Sequence, residues 1–217
     1  ACISNSVSGI AIVSNSSRAL VLGNVCRDNG DKGIVLFQSN KTVISNNYTG
    51  FNTTIGINVI QSDQNQVNSK EIDQNTTHGI VIDSSSEVII VGNHCLLNGE
   101  NGIFIIGSNN NSIQSNLSRD NSQAVNISFD NIQIDLNSDN NDIQSNVVRK
   151  GTNTNKPRYG INIDNANCNN NLVMNNDLRN SGEISNLNDT GTSSDIGTNK
   201  GHTPNYWRNG TGRRVTY

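Results

Sequence analysis

The stretch GIVLFQSNKTVISNNYTGFNTTIGINVI (33–60) holds one complete repeat and the start of the next. Its Gly33-Ile34 pair returns 23 residues later at Gly56-Ile57, and again at 79–80 and 102–103. Two asparagine series share that spacing: Asn24, Asn47, Asn93 and Asn116, and Asn29, Asn52, Asn75, Asn98 and Asn121. A fixed period of about 20–50 residues is typical of stacked repeat architectures. The chain is therefore predicted to be a solenoid with one repeat in each coil.

Each repeat contains three short apolar segments separated by polar turns, and none shows a helical period. The first starts at the Gly-Ile pair, the second precedes the first asparagine series, and the third runs through it. Parallel stacking places each strand about 4.8 Å from its copy in the next coil, so inward side chains form rows. Two rows are predicted from the first strand: Ile10, Ile34, Ile57, Ile80, Ile103, Ile132 and Ile161; and Ile12, Leu36, Val59, Ile82, Ile105, Ile134 and Ile163. The second strand centres on Val21, Ile44, Val67, Ile90, Ile113, Ile143 and Val173.

The asparagine series are expected to form turns, because asparagine tolerates a left-handed backbone and bonds to nearby peptide groups. Stacked amides can also bond to one another along the solenoid axis and satisfy buried polar groups. Lys70 interrupts the first series, and the pattern does not explain it.

Three of the four cysteines, Cys2, Cys26 and Cys95, share a position two residues after the first asparagine series. Isoleucine, valine and leucine occupy that position in other coils, which is typical of a buried apolar site. Together with Cys168 they are predicted to be free thiols, since no metal-binding spacing is present.

Composition excludes several classes of protein. The 217 residues carry a formal net charge of -3, which provides no basic surface for nucleic acid. No segment approaches the roughly 20 apolar residues that cross a bilayer, so membrane insertion is not expected. The first ten residues, ACISNSVSGI (1–10), already carry the repeat. The chain is therefore expected to begin within a coil and to be a piece of a longer polypeptide.

The GIxI pattern, followed by VxxN and by an asparagine five residues later, resembles the right-handed parallel β-helix repeat of the pectin-lyase-like superfamily. The resemblance covers residues 1–181 and implies an all-β, single-stranded right-handed parallel β-helix with three short strands per coil. Residues 182–217, which include Pro204 and Trp207, are expected to form a C-terminal cap or tail. The superfamily includes lyases, hydrolases, epimerases, phage tailspikes and non-catalytic proteins, so the fold alone does not indicate which function the protein has. Thr77-His78-Gly79 resembles one element of the polygalacturonases, but the remaining motifs of that family are missing.

The outward positions of the Gly-Ile strand are mostly apolar in the first five coils, as at Val35, Phe37 and Val81. Such a patch is larger than monomers usually expose. A segment outside this sequence, the longer loop 122–131 or a neighbouring subunit is expected to cover it. Self-association is favoured, and the resemblance to phage tailspikes implies a trimer.

The same outward face becomes polar in later coils, where Asp135 and Asp164 occupy equivalent positions. Carboxylates about 5 Å apart suit a retaining glycosidase, and their repulsion raises one pKa, which provides an acid and a base. They are the candidate catalytic residues. No cofactor is expected, although the pair could bind Ca²⁺, and both could also be ordinary solvated carboxylates.

Candidate substrate-binding residues lie around this pair. Arg158 and Tyr159 end a second longer loop, 152–160, and could provide a charged group and an aromatic platform for a sugar. Phe104 and Asp83 lie on the same outward face in earlier coils.

These observations favour a structural, carbohydrate-binding β-helix module of a phage tail fibre or tailspike, located in a virion tail or outside the cell, that contacts host-surface polysaccharide. The lack of any complete catalytic motif supports that interpretation. The alternative is a polysaccharide-degrading enzyme of the same superfamily, either a glycoside hydrolase or a lyase.

Overall fold

The computed structural model describes residues 1–202, which contain short strands and turns and no helix. In chain order the strands are β1 (Cys2–Ile3), β2 (Ile10–Val13), β3 (Leu20–Leu22), β4 (Val25–Arg27), β5 (Ile34–Phe37), β6 (Val43–Ser45), β7 (Tyr48–Gly50), β8 (Ile57–Ile60), β9 (Gln66–Asn68), β10 (Glu71–Asp73), β11 (Ile80–Asp83), β12 (Ile89–Val91), β13 (His94–Leu96), β14 (Ile103–Ile106), β15 (Ser112–Gln114), β16 (Leu117–Arg119), β17 (Ile132–Asp135), β18 (Asp142–Gln144), β19 (Val147–Arg149), β20 (Tyr159–Ile163), β21 (Leu172–Met174), β22 (Ser185–Asp189) and β23 (Asp195–Ile196). Within this part of the chain no helix could span a membrane.

The strands form three parallel sheets that run the length of the solenoid. Sheet A has the order β1-β4-β7-β10-β13-β16-β19, sheet B has the order β2-β5-β8-β11-β14-β17-β20-β22, and sheet C has the order β23-β21-β18-β15-β12-β9-β6-β3. One coil contributes one strand to each sheet. The predicted all-β parallel β-helix with three strands per coil is therefore confirmed.

The interior is filled by the predicted aliphatic rows. In sheet B, Ile34 pairs in register with Ile57, Ile57 with Ile80, and Ile80 with Ile103. All four are fully buried. Burial of each such side chain contributes about 1.5–3 kcal/mol relative to exposure. The rows are continuous because β-branched side chains pack well on the pleated surface of stacked parallel strands.

Stacked asparagine amides connect the coils at the turn between sheets A and B. Asn75 Oδ1 accepts hydrogen bonds from Asn52 N at 3.2 Å and Asn52 Nδ2 at 2.9 Å. Asn75 Nδ2 donates to Asn98 Oδ1 at 3.0 Å and to the carbonyl of Thr49 at 3.3 Å. The same arrangement runs through Asn5, Asn29, Asn52, Asn75, Asn98 and Asn121. The predicted role of the second asparagine series is confirmed.

The glycine of the Gly-Ile pair is required by close approach to this amide stack. A Cβ atom on Gly33 would lie 2.6 Å from the carbonyl oxygen of Gly56 and 2.8 Å from Asn52 Nδ2. Both distances are shorter than real Cβ contacts, so any side chain there would displace the next coil.

The structure explains why Lys70 interrupts the first asparagine series. Ser69, not Lys70, occupies the buried position, and its backbone N–H donates to Asn93 Oδ1 at 2.6 Å. Lys70 is exposed. An unpaired lysine ammonium is almost never buried, so the backbone places the smaller neighbour inside instead.

The four cysteines are free thiols, as predicted. Cys2 pairs in register with Cys26, and Cys95 lies further along the same inward row of sheet A. Burial raises the pKa of Cys26 to about 12, which keeps this thiol protonated at neutral pH. Cys168 is also buried, but it lies in a turn outside that row.

Two further stacks connect the coils and were not part of the sequence prediction. Serine hydroxyls accept the backbone N–H of the preceding coil through Ser39, Ser62, Ser85, Ser108 and Ser138. A third asparagine stack runs through Asn111, Asn141 and Asn171.

The stacking of coils continues into the segment predicted as a C-terminal cap. Strand β22 pairs with β20, β23 pairs with β21, and Asn199 Oδ1 accepts a bond from Asn176 N at 2.9 Å. The division at residue 181 stays a prediction. Pro204 and Trp207 lie outside the described residues.

Replacing Asn98 by alanine is expected to destabilise the fold by about 2–4 kcal/mol. The change leaves the backbone N–H of Asn75 and the carbonyl of Ile72 buried without this partner. Asn167→Ala is the control, because Asn167 is exposed and only its backbone takes part in hydrogen bonds. Urea unfolding followed by circular dichroism measures both variants. Equal stability of the two would contradict the role of the amide stack.

Candidate functional site

The candidate residues lie on the outer face of sheet B. Its central outward row contains, in consecutive coils, Ala11, Val35, Asn58, Val81, Phe104, Gln133 and Asn162. In-register stacking places these side chains about 4.8 Å apart, so neighbours cover one another. In this row Asn58 is only 5% exposed and Val81 only 6%. In the second outward row, two positions further along each strand, Val13 at the first coil is 43% exposed and Phe37 is 37% exposed. The expectation of a continuous exposed apolar patch is therefore wrong for the middle coils, and self-association stays a prediction.

A second row lies at the edge of sheet B, just before each strand. His78 Nδ1 accepts the backbone N–H of Asn101 at 3.2 Å, and Asn101 Oδ1 accepts that of Asp130 at 2.7 Å. Asp130 Oδ1 in turn accepts the backbone N–H of Tyr159 at 2.9 Å. Each side chain is thus held by the backbone of the next coil, which makes this edge a rigid support.

Asp130 is the buried centre of the site. Its side chain is fully buried and forms an ion pair with Arg158, with Nε at 3.2 Å from Oδ1 and Nη2 at 2.8 Å from Oδ2. Asn162 Nδ2 donates to Oδ2 at 2.8 Å, and Asn188 Nδ2 donates to Asn162 Oδ1 at 2.8 Å. N–H groups of Arg158, Tyr159 and Asn162 donate to the two carboxyl oxygens, and neither oxygen faces an acceptor to which a protonated carboxyl could donate. The group is therefore held as the carboxylate.

The electrostatics of this pair follow from burial and contact. Burial raises the pKa of Asp130 above its ordinary value, and the donors from Arg158, Asn162 and Tyr159 oppose that effect. The hydrogen bonds to Asp130 raise the pKa of Arg158 above its ordinary value, so the guanidinium stays charged. Asp130 was not predicted as a site residue.

Arg158 connects Asp130 to a wider polar network. Its Nη2 also donates to Asp164 Oδ2 at 3.0 Å. Gln133 Nε2 donates to the same oxygen at 3.2 Å, and Asn101 Nδ2 donates to Gln133 Oε1 at 2.8 Å. Amides and carboxylates therefore form one connected group across neighbouring coils on this face.

The two candidate catalytic residues have different surroundings. Asp164 is held by Arg158 and Gln133, whereas Asp135 Oδ1 accepts the backbone N–H of Leu136 at 2.7 Å. They follow the paired residues Ile134 and Ile163 in adjacent coils. A shared catalytic role for them stays a prediction. In residues 1–202 no group of three or more potential metal ligands includes them, and Ca²⁺ binding also stays a prediction.

Phe104 lies beside a histidine that the sequence prediction did not place in the site. The ring centroids of His78 and Phe104 are 5.2 Å apart with an interplanar angle of 39°. His78 Nε2 is 2.9 Å from Glu100 Oε2, and because Nδ1 accepts a bond, Nε2 carries the hydrogen. Asp83 lies at the opposite edge of the face, where Ser84 Oγ donates to it at 2.8 Å.

The two longer loops stack to form a wall beside sheet B, defined here as residues 122–131 and 152–160. Ile127 N donates to the carbonyl of Lys156 at 2.9 Å, and Asn155 Nδ2 donates to the carbonyl of Gln123 at 2.7 Å. The guanidinium carbon of Arg158 lies 4.9 Å from the centre of the Tyr159 ring. The wall therefore presents the two residues predicted to bind a sugar, next to the polar network.

An open groove of about 520 Å³ lies elsewhere, along the turn between sheets B and C. It is lined by residues such as Lys41, Gln64, Glu87 and Ile89. Gln64 Nε2 already donates to Glu87 at 2.8 Å, and none of the predicted site residues contributes to the lining. Convergent buried polar groups favour the face of sheet B as the site.

Residues 2–134 match the family model described as the right handed beta helix region, which covers more than half of the chain. The chain belongs to this family. This membership agrees with the resemblance of the repeat pattern to the right-handed parallel β-helix. Among curated protein sequences, none matches this β-helix at a significant level.

Solved structures with the same fold include two kinds of protein. The β-helix is similar to the periplasmic alginate epimerase AlgG (TM-score 0.75, 20% identity, 89% of this chain and 47% of that chain). It is similar to the A-module of the Azotobacter vinelandii mannuronan C-5 epimerase AlgE6 (0.73, 16%, 92% and 58%). It is also similar to full-length tailspike protein 2 from the Escherichia coli O157:H7 bacteriophage CAB120 (0.60, 16%, 83% and 26%). At these identities the likeness shows the fold alone, and the chain spans about half or less of the length of most of these structures.

Replacing Arg158 by glutamine is expected to cost about 3–5 kcal/mol of unfolding free energy, because it leaves the Asp130 carboxylate buried without its ion pair. Arg27→Gln is the control: its side chain is 47% exposed, and that of its partner Asp28, at 3.0 Å, is 42% exposed, which predicts a loss of about 0–1 kcal/mol. Urea denaturation compares the two. The double variant Arg158→Gln with Asp130→Asn should regain part of the loss, and a single-variant loss no larger than that of Arg27→Gln would refute the buried pair's importance.

Proposed function

We propose that this chain is the polysaccharide-binding β-helix module of a phage tail fibre or tailspike, and that it contacts a host-surface polysaccharide. In this proposal the protein acts outside the cell, as part of a virion tail. Support comes from the similar structures, which include a phage tailspike protein and epimerases named for alginate and mannuronan, both polysaccharides. The binding surface proposed is the outer face of sheet B together with the adjoining wall.

One observation carries the proposal: a rigid row of planar polar groups lies next to aromatic rings. Asn101, Gln133 and Asn162 are buried and bonded within the network, so they hold the face rigid from behind. Phe104 and Tyr159 provide half-buried rings on the same face, and the partly exposed Arg158 and Asp164 provide a donor and an acceptor beside them. Sites for small polar ligands combine apolar surface with a few fixed polar groups of this kind.

The repetition of the coil suits a polymer in particular. Successive coils follow one another at a regular rise, so a chain of sugars that lies along the solenoid axis can contact the face at each coil. The backbone bonds that hold His78, Asn101 and Asp130 reduce the loss of side-chain freedom on binding.

Tyr159→Ala is expected to weaken polysaccharide binding about tenfold, because it removes the aromatic surface next to the polar network. Tyr48→Ala is the matched control, since Tyr48 is a half-buried tyrosine on the outer face of sheet A. Surface plasmon resonance with purified host-surface polysaccharides measures both, and circular dichroism checks folding. Equal effects of the two substitutions would place binding elsewhere.

The alternative proposal is a polysaccharide-degrading enzyme, either a glycoside hydrolase or a lyase. Its support is the position of Asp135 and Asp164 at equivalent points of adjacent coils, with Arg158 bonded to Asp164. Fixed carboxylates next to a cation are groups from which acid and base catalysis is built.

Under this alternative, Asp164→Asn and Asp135→Asn should each lower the release of products from capsular or pectin-like polymers by about 10²-fold or more. Reducing-end and unsaturated-product assays distinguish a hydrolase from a lyase. Asp63→Asn, in a turn away from the site, is the control. Unchanged release in both site variants would remove these two residues from catalysis.

A further inference from the structure

We infer that Cys2 and Cys26 are a modification site: they form a reversible disulfide bond between the first two coils when a small-molecule disulfide oxidises them. The structure shows both residues as free thiols, which is the reduced form of this site. The cross-link goes beyond the proposed function and does not depend on it.

The two cysteines occupy equivalent positions in adjacent strands. Cys2 of β1 pairs in register with Cys26 of β4, and the two strands are parallel. Neighbouring strands lie about 4.8 Å apart, and the Cα atoms of disulfide-bonded cysteines are usually about 4.4–6.8 Å apart. Cys26 is fully buried, and Cys2 packs against the same hydrophobic core. The spacing and the direction of the two side chains therefore suit a disulfide.

The two thiols are already in contact. Burial, together with the interaction with the Cys2 thiol, raises the pKa of Cys26 to about 12. The Cβ atoms of bonded cysteines lie about 3.5–4.5 Å apart, so the Cβ atom of Cys2 has to approach by a few tenths of an ångström. Strand β1 can move by this amount, because it is two residues long and, within residues 1–202, pairs with β4 alone.

The other two cysteines of the chain have no such partner. The in-register neighbours of Cys95 are Ile72 and Ser118. Cys168 lies in a turn between sheets B and C, away from the inward row of sheet A. All four cysteines of the sequence are within the described residues. Oxidation within one folded molecule is therefore predicted to give a single cross-link.

Thiol–disulfide exchange with glutathione disulfide supplies the chemistry. The thiolate of Cys2, the more exposed of the pair, attacks one sulfur of the oxidant, forms a mixed disulfide and releases one glutathione thiolate. Cys26 then loses its proton and attacks the Cys2 sulfur, which breaks the mixed bond and releases the second glutathione thiolate. The two cysteines are oxidised, and the two glutathione molecules take up the two protons that the cysteines lose.

The bond would close a loop that contains the exposed turn 14–18. In this part of the structure the core is less well covered than in the next coil: Ile10 is only partly buried, whereas Ile34 is fully buried. A covalent link between residues on either side of a loop reduces the freedom of the opened chain. The bond between Cys2 and Cys26 is therefore expected to hold the first coil against the second.

Peptide mapping of the whole chain tests whether the bond forms. The folded protein is equilibrated with glutathione disulfide at about pH 8.5, remaining thiols are blocked with iodoacetamide in urea, and tryptic peptides are analysed without reduction. The two cysteines fall in different tryptic peptides, 1–18 and 19–27. We expect these peptides to be linked, in at least about tenfold excess over Cys2 bound to glutathione. Cys95→Ala, which removes a buried thiol from the same row, is the control and should leave the link unchanged.

Three results would overturn the inference. The first is Cys2 that stays bound to glutathione without conversion to the link. The second is a link from Cys95 or Cys168 as abundant as that from Cys26, and the third is a link between two copies of peptide 1–18. None of these results affects the proposed polysaccharide binding, which Tyr159→Ala tests separately.

Trypsin digestion of the folded protein tests the effect on the first coil. Arg18 and Lys41 are exposed residues in equivalent turns of the first two coils, and only Arg18 lies inside the closed loop. Oxidation is expected to slow cleavage after Arg18 about tenfold and to change cleavage after Lys41 less than about twofold, because cleavage requires local opening. Dithiothreitol should restore the original rate. Equal slowing at both sites, or none after Arg18, would overturn the claim that the bond holds the first coil.

Discussion

The fold depends on the hydrogen bonds between stacked turn side chains. A solenoid of short strands buries many polar turn groups, and a buried amide without a partner costs about 1–3 kcal/mol. Asn52, Asn75 and Asn98 solve this by bonding to one another and to backbone carbonyls at an interval of 23 residues. The requirement fixes the position of each asparagine rather than the length of the coil, because Asn5 and Asn29 make the same bond at a separation of 24 residues.

The later coils show how the solenoid accommodates two longer loops. The asparagine stack ends at Asn121, whose amide donates to Asn131 Oδ1 at 2.8 Å. Asn131 Nδ2 then donates to the carbonyls of Arg149 and Ser181. One asparagine from the start of a sheet B strand therefore completes the turn bonds where the next coil lacks the usual residue. The two longer loops can leave the turn at this point without exposing the core.

The wall and the polar network share one charged centre. Asp130 bonds to the backbone of Tyr159 and to the side chain of Arg158, so the same carboxylate fixes the end of the second long loop and the charge that reaches Asp164. Hydrogen bonds to residues of sheet B hold the loops in place. The loops in turn place Tyr159 and Arg158 beside the outer face of the sheet. A buried ion pair of this kind contributes more to the position of neighbouring groups than to net stability.

The amino-acid sequence determined the coil length, the two aliphatic rows of sheet B, the turn role of the second asparagine series and the free cysteines, because each follows from a spacing that repeats along the chain. Only the tertiary structure decided that Ser69 replaces Lys70 inside, that Asp130 anchors Arg158, and that Asp135 and Asp164 bond to different partners. These contacts join residues from loops of irregular length, such as Asp130 and Arg158, 28 residues apart. Equivalent positions in adjacent coils fix the distance between the Cα atoms of two residues. The rotamer of each side chain depends instead on the hydrogen-bond donors that the fold brings within reach.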